Sequence, residues 1–284
     1  MRHVCSLRIG PVGFRVGSDW ATPIAMLADL YRDYPQADIA DFTVRLEATR
    51  PWRRWIRPSV RIGGDYMLPE AAPLPLAHAL LAAEMGMNLQ VALGSQRCLL
   101  LHAAAVERDG RALLISGQSG AGKSTLATLL AARGWRFMGD EFAMLDPDSG
   151  EVFAFPRLVS LKNEGIAAAI AALPKARLGP ELAGTPKGTI RHLVPDAHAI
   201  AAMDDPAMPV LLLFPRFGAA PAVRSMPASE AFVRLTHAST NYVALAERGF
   251  ACLTALARDV PAYAIDYPDG VAAVDQVEAL WRTL

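Results

Sequence analysis

Lysine is scarce in this chain. Its 28 basic residues are 24 arginines and four lysines: Lys123, Lys162, Lys175 and Lys187. In a chain that uses arginine by default each lysine draws attention, because a compact ammonium does what a guanidinium fork cannot. Net charge is missing too. With 28 basic against 28 acidic residues, no strong pull toward nucleic acid or an anionic membrane is expected. Cysteine is limited to Cys5, Cys98 and Cys252. They lack metal-ligand spacing and read as buried thiols of a reducing, cytoplasmic setting. No apolar run approaches the ~18 residues of a spanning helix; "GIAAAIAALP" (Gly165 to Pro174) is too short. The stretch "MRHVCSLRIGPVGFRVG" is broken by glycine and proline and has no signal-like apolar core. Internal repeats and low-complexity tracts are absent as well. What remains is a chain 52% hydrophobic and 20% charged, the composition of a globular protein with a proper core.

Patterning divides the chain near residue 95. Residues 1–95 read as a small α/β region, with strands "VCSLRI", "GFRVG" and "FTVRLEA" by their alternation. "WRRWIRPSVRIGG" reads as extended, with Trp52 and Trp55 packed and the arginines facing water. "LPLAHALLAAEMG" reads as a helix with His78 on its surface. Residues 96–284 begin with a hairpin, "LLLHAAAVE" turning at "RDG" into "RALLIS". A glycine-rich loop and the helix "KSTLATLLAARG" follow, stopped by Gly134. A strand is expected around "RFMGDEFAML" and further strands at "EVFAFP" and "RLVSLK". "PVLLLFP" reads as a buried strand. Helices are read at "ASEAFVRLTHA", "NYVALAERGFACLTALARD" and "VAAVDQVEALWRTL", the last with Val271, Val274, Val277 and Trp281 on one face.

One motif carries chemistry. "GQSGAGKST" runs Gly117, Gln118, Ser119, Gly120, Ala121, Gly122, Lys123, Ser124, Thr125 and matches the Walker A phosphate-binding loop in its required setting, strand before and helix after. The glycines permit torsions and close approach that a side chain would block. Successive N–H groups at the helix start stabilise an anion. Lys123 is expected at the β- and γ-phosphates and the Ser124 hydroxyl on Mg²⁺. No acid closes the strand "PVLLLF", which runs into Pro215 and Arg216. The acids at hand are Asp140 and Glu141, 17 and 18 residues beyond Lys123, where helix and strand return the chain to the phosphates. They lie in "WRFMGDEF", one residue short of the signature of enzymes that build cyclic dinucleotides. Met138 stands where that signature has glycine, and those enzymes do not use a P-loop, so the likeness is coincidental.

With His102 placed 21 residues before Lys123, and Asp140 and Glu141 after the loop's helix, the chain resembles the HPr kinase/phosphorylase family, and within it the HPr-kinase-related "kinase A" group. "PRLVSLKNEG", "TPKGTIRHLVP", "FPRF" and "NYVALAERGF" add to the likeness, which covers roughly residues 50 to 284. The resemblance implies an α/β fold: a P-loop core of mixed β-sheet with flanking helices, as in HPr kinase and PEP carboxykinase, beside the small N-terminal region. It implies an ATP- and Mg²⁺-dependent phosphotransferase acting on a hydroxyl, a serine of a protein or peptide. Asp140 would be the general base, with His102 beside it tuning or sharing the proton. Lys187, Lys162, Arg157, Arg191 and His192 are further candidates for phosphate or substrate contacts. Glu141 stands where the family has aspartate, as a candidate metal ligand, and the family's glycine-rich phosphorolysis signature is not found. The expectation is therefore a kinase without an assigned phosphorylase activity. A homo-oligomer is admitted by the resemblance, though no stretch specifies an interface. Two other readings stay open: a small-molecule kinase of the same fold, and a nucleotide-gated binding switch with little chemistry.

Overall fold

The computed structural model describes residues 1–284. The chain opens with β1 (His3–Ile9), β2 (Val12–Ser18), α1 (Ala21–Leu30), β3 (Phe42–Ala48), β4 (Ser59–Gly64), β5 (Leu74–Pro75) and α2 (Ala79–Gly94). The five strands form one sheet in sequence order, antiparallel except for the parallel pair β2–β3. Strict alternation sets its two faces. Leu7, Ile9, Phe14, Val16, Val44 and Leu46 are buried with residues of α1 and α2 in one core. The intervening Arg8, Arg15, Arg45 and Arg61 escape that core. Phe142, Met144, Phe155 and Leu158, from far along the chain, complete it.

The chain continues through β6 (Leu99–Leu101), β7 (Ala103–Arg108), β8 (Arg111–Ser116), α3 (Lys123–Ala131), β9 (Arg136–Gly139), β10 (Ala143–Leu145), β11 (Val152–Phe153), β12 (Val159–Lys162), α4 (Glu164–Ala172), β13 (Leu178–Thr185), β14 (Gly188–Leu193) and α5 (Ala197–Ala201). It ends with β15 (Met208–Phe217), β16 (Ala222–Met226), α6 (Ala228–Ala238), α7 (Ala246–Asp259), β17 (Ala262–Tyr267) and α8 (Gly270–Trp281). A six-stranded mixed sheet in the order β16-β17-β15-β8-β7-β9 is the spine. β15 lies parallel to both β8 and β17. On one face Val106, Leu113 and Ile115 pack with Leu126 and Leu130 of α3 and Val274 and Val277 of α8. On the other, Leu114 and Leu212 pack with Leu235 of α6 and Leu253 and Leu256 of α7. Two small sheets, β11-β10-β6 and β12-β14-β13, flank it. The architecture is α/β, with two mixed sheets and two small antiparallel ones.

Some expectations need correction. "LLLHAAAVE" is two strands, broken at His102, and "RFMGDEFAML" is two strands, broken at Asp140 to Phe142. Pro51–Arg54 forms a short 3-10 turn, and Trp52 and Trp55 are 50% and 75% exposed. Proline at the first position favours that turn. It is tied down through its backbone and arginines: the Trp20 indole donates to the Arg54 carbonyl (3.0 Å) and Arg54 pairs with Asp19. Val271 is exposed, because it sits in the first turn of α8, where Asp269 caps the Ala272 N–H (2.9 Å); Ala273 takes its place in the buried stripe. Cys98 and Cys252 are buried, while Cys5 is half-buried. One helical stretch, Leu76–Gly94, is long and apolar enough by composition to cross a membrane, and 56% of its best window is buried inside the fold.

Candidate functional site

The glycine loop leaves the C-terminal end of β8 and enters α3. Gly120 and Gly122 have φ of +86° and +87°, the left-handed region where a side chain is strained. Tyr267, at the end of β17, closes over the loop and donates its hydroxyl to the Ala121 carbonyl (3.1 Å). From Gln118 to Thr125 only the Ala121 N–H donates to an acceptor within the protein. The other N–H groups form the open donor array of a helix N-terminus. Lys123 is nearly buried and folds back, donating from Nζ to the carbonyls of Gly117 (2.7 Å) and Gln118 (3.1 Å). Burial pushes its pKa down, while Asp140 and Glu141 act to raise it.

A double strand switch brings the acids and the histidine to this loop. In the spine β7 pairs with β9, with Ala105 opposite Gly139. In the small sheet β6 pairs with β10, with Leu101 opposite Ala143. Both partners therefore change sheets together, the first at His102 and the second at Asp140 to Phe142. Positions 39 residues apart in sequence become neighbours, and His102 Nδ1 lies 3.8 Å from Glu141 Oε1. The His102 backbone is fixed by its N–H donating to the Ala238 carbonyl (2.8 Å). Burial lowers its pKa and outweighs the opposing pull of Glu141, with Lys123 lowering it further.

Asp140 is 8% exposed. Burial and the neighbouring Glu141 charge push its pKa up to about 6, against the pull of the Ser124 hydroxyl, Lys162 and Lys123. A buried carboxyl beside the first turn of α3 is thus held near neutral titration, which suits a proton acceptor. Glu141, the candidate metal ligand, is exposed enough to swing, and its neighbour is His102.

Beyond Asp140 and Glu141 a cavity of about 140 Å³ opens, lined by Arg157, Lys162, Lys187 and His192 among others. Four of the five further candidates thus share one space. Arg191 does not: it is opposite Leu161 on β14 and donates from Nε to the Gly179 carbonyl (2.9 Å). Strand alternation puts it on the other face from His192. Arg157 reaches the cavity as part of a buried cluster, pairing with Glu84 and hydrogen-bonding Asn88. All sixteen ion pairs of the protein use arginine or histidine, and none of the four lysines has a carboxylate within 4.0 Å.

Sequence reasoning missed Glu84 and Asn88 of α2, which form one wall of the cavity. A signal was present: Glu84 is the lone charged residue of "ALLAAEMGMNLQVALG". It also missed Tyr267, for which no local pattern speaks.

A family model described as "SynChlorMet cassette protein ScmC" matches residues 78–161. That span runs from the approach to α2 as far as β12 and contains His102, the glycine loop, Asp140, Glu141 and Arg157. No curated protein matches. Among solved structures the chain is similar to the Hpr(Ser) kinase/phosphatase from Coxiella burnetii, at 13% identity over 65% of this chain and 94% of that one, with a TM-score of 0.29. At that TM-score no residue is carried over from the likeness.

Proposed function

We propose that this protein is an ATP-dependent phosphotransferase with a hydroxyl group as acceptor, in the manner of HPr kinases, whose sequence motifs it resembles. One observation carries the reading: a buried carboxyl held near pKa 6, Asp140, stands beside Ser124 and Lys123 where the glycine loop enters α3. A loop serving only as a nucleotide switch has no need of a buried base facing it.

The open N–H array from Gln118 to Thr125 would cradle the phosphates, and Lys123 would exchange its two carbonyl partners for phosphate oxygens. Asp140 takes the acceptor's proton as the hydroxyl oxygen bonds to the γ-phosphorus. The β–γ bridging bond breaks with its electron pair staying on ADP. Lys162, whose charge acts on Asp140 and Lys123, offsets charge spread over the transferring group. His102, whose ring lies 3.8 Å from Glu141, would tune or share the acceptor's proton.

Mg²⁺ keeps several waters and binds through one or two carboxylates plus substrate phosphates. Ser124 and Glu141 would hold it, and when bound it neutralises phosphate charge. The family resemblance names a serine of a protein or peptide as acceptor, and the reading takes the reaction to be cytoplasmic, where ATP is at hand. Nucleic acid and membrane have no part in this reading.

Incubation with labelled ATP and hydroxyl acceptors tests it. Transfer that Asp140→Asn abolishes is expected. Unchanged transfer in that variant would remove the base assignment, and nucleotide binding with no product under any condition would leave a switch.

A further inference from the structure

We propose that the cavity beside Asp140 is an acceptor subsite for a hydroxyl group that carries its own carboxylate: a hydroxy acid, free or as the terminal residue of a peptide. The inference rests on the phosphotransferase reading and narrows it.

Size sets the first limit. A cavity of about 150 Å³ holds a molecule the size of benzene, so the space here, about 140 Å³, takes roughly six or seven non-hydrogen atoms by that comparison. That is a hydroxyl, its carbons and one small charged group. Leu74, Leu81 and Met85 wall one side.

Charge sets the second. Glu84 is neutralised by Arg157, and Asp140 and Glu141 face Lys123 and Lys162. With Lys123 on the phosphates, Lys162 on the transferring group and Glu141 on the metal, Lys187 is the lining cation that the phosphotransferase reading leaves without a partner. Its charge also marks the far end of the cavity. The Lys162 charge reaches Asp140 and Lys123; on the β12–β14 pair Lys162 is opposite Ile190, and Lys187 lies beyond it at the hairpin tip, though both line the same space. Lys162 therefore stands at the transfer end and Lys187 at the other. A hydroxyl at Asp140 with an anion at Lys187 spans the two.

Lys187 itself is exposed, but the backbone that carries it is fixed. It sits at the tip of the β13–β14 hairpin, where its N–H donates to Thr185 Oγ1 (3.2 Å) and that hydroxyl donates to the Gly188 carbonyl (2.7 Å). The Asn163 side chain accepts from the Thr189 N–H (3.2 Å) and pins the hairpin to the end of β12. The wall is also short of polar partners. His192 is 1% exposed, and neither of its ring nitrogens nor Arg157 Nε has one. Buried polar groups are nearly always paired, and a polar occupant is what this wall lacks. In the transfer the hydroxyl oxygen gains phosphorus, its proton goes to Asp140, ADP leaves with the bridging electron pair, and the carboxylate is unchanged.

The full-length protein with Mg²⁺ and ATP is tested against D-glycerate, L-serine, a short peptide ending in serine, the same peptide amidated, and a peptide with internal serine. Binding is followed by calorimetry and transfer by labelled phosphate. The free acids are expected to be phosphorylated, the amide to show at least a tenfold higher KM, and Lys187→Ala to raise KM about tenfold with kcat within twofold. Preference for the small acids or for the peptide acid identifies the source. Met85→Trp, which fills the cavity mouth, is expected to abolish acid binding. Equal use of amidated, internal and free-acid acceptors, or ATP hydrolysis that depends on Asp140 with no acid bound, would overturn this inference alone. Acids that bind through Lys187 but are never phosphorylated would overturn the phosphotransferase reading and the acceptor role together.

Discussion

Asp140 has to act as a base where burial discourages its charge. The pKa of about 6 fixes the sign of the pH dependence. Above it the carboxylate is free to accept a proton; below it the group is already protonated. In the free enzyme kcat/KM is expected to fall about tenfold per pH unit below pH ~6, since that ratio reports the free enzyme's essential groups. A rate profile from pH 4.5 to 8 checks this, and a flat acid side would remove Asp140 as the base. Asp140→Asn keeps the shape of the site and removes the proton acceptor. Transfer is expected to drop by about 10²–10⁴, the usual range for general-base catalysis, with nucleotide affinity within a few-fold by titration.

At the level of elements, the glycine loop and the strand switch do the positioning. Gly122 is the loop's tightest point. A Cβ there would meet the Tyr267 hydroxyl at 2.6 Å, on backbone already at φ +87°. Gly122→Ala is expected to abolish nucleotide binding, and adding Tyr267→Phe to restore part of it, because the clash goes while the torsional strain stays. Calorimetric titration of both variants reads the difference; no gain in the double variant would show that the hydroxyl is not the obstacle. The loop itself was legible in the sequence, since its glycines, lysine and serine have one arrangement between a strand and a helix. The hairpin turn at Asp109 and Gly110 and the stop at Gly134 were legible for similar reasons, as all three residues have positive φ. The switch was not. Periodicity cannot show that a continuous apolar run such as "LLLHAAA" changes sheets midway, because both halves are buried and read alike. Nor can local pattern show which of the later charges face one cavity. Arg191 and His192 are adjacent in sequence, so strand alternation sends them to opposite faces, and it takes the packing of β14 beside β12 to show which face meets the cavity.

Across the whole molecule, the cavity wall depends on a buried polar cluster that joins the first sheet's helices to the segment leading into β12. Glu84 of α2 pairs with Arg157 and accepts from the Tyr31 hydroxyl (2.9 Å). The Leu158 N–H donates to that same hydroxyl (3.4 Å), and the Tyr34 hydroxyl donates to the Pro156 carbonyl (2.6 Å). Burial and the Glu84 charge hold the Tyr31 phenol well above its usual pKa, so it adds no second negative charge, and Arg157 pairs with Glu84 as its counter-charge. Removing one partner strands the other charge in the interior. Glu84→Ala is therefore expected to cost about 3–5 kcal/mol, while replacing Glu84 and Arg157 together by methionines costs far less, because the charges are no longer taken out of water. Around this cluster Phe14 and Leu27 share a core with Phe155 and Leu158, so the loss is expected as a lower midpoint of one cooperative transition. Urea unfolding followed by both tryptophan fluorescence and far-UV circular dichroism measures it. Two separated transitions, or a double methionine variant as unstable as Glu84→Ala, would show that the cluster does not tie the first sheet to the site.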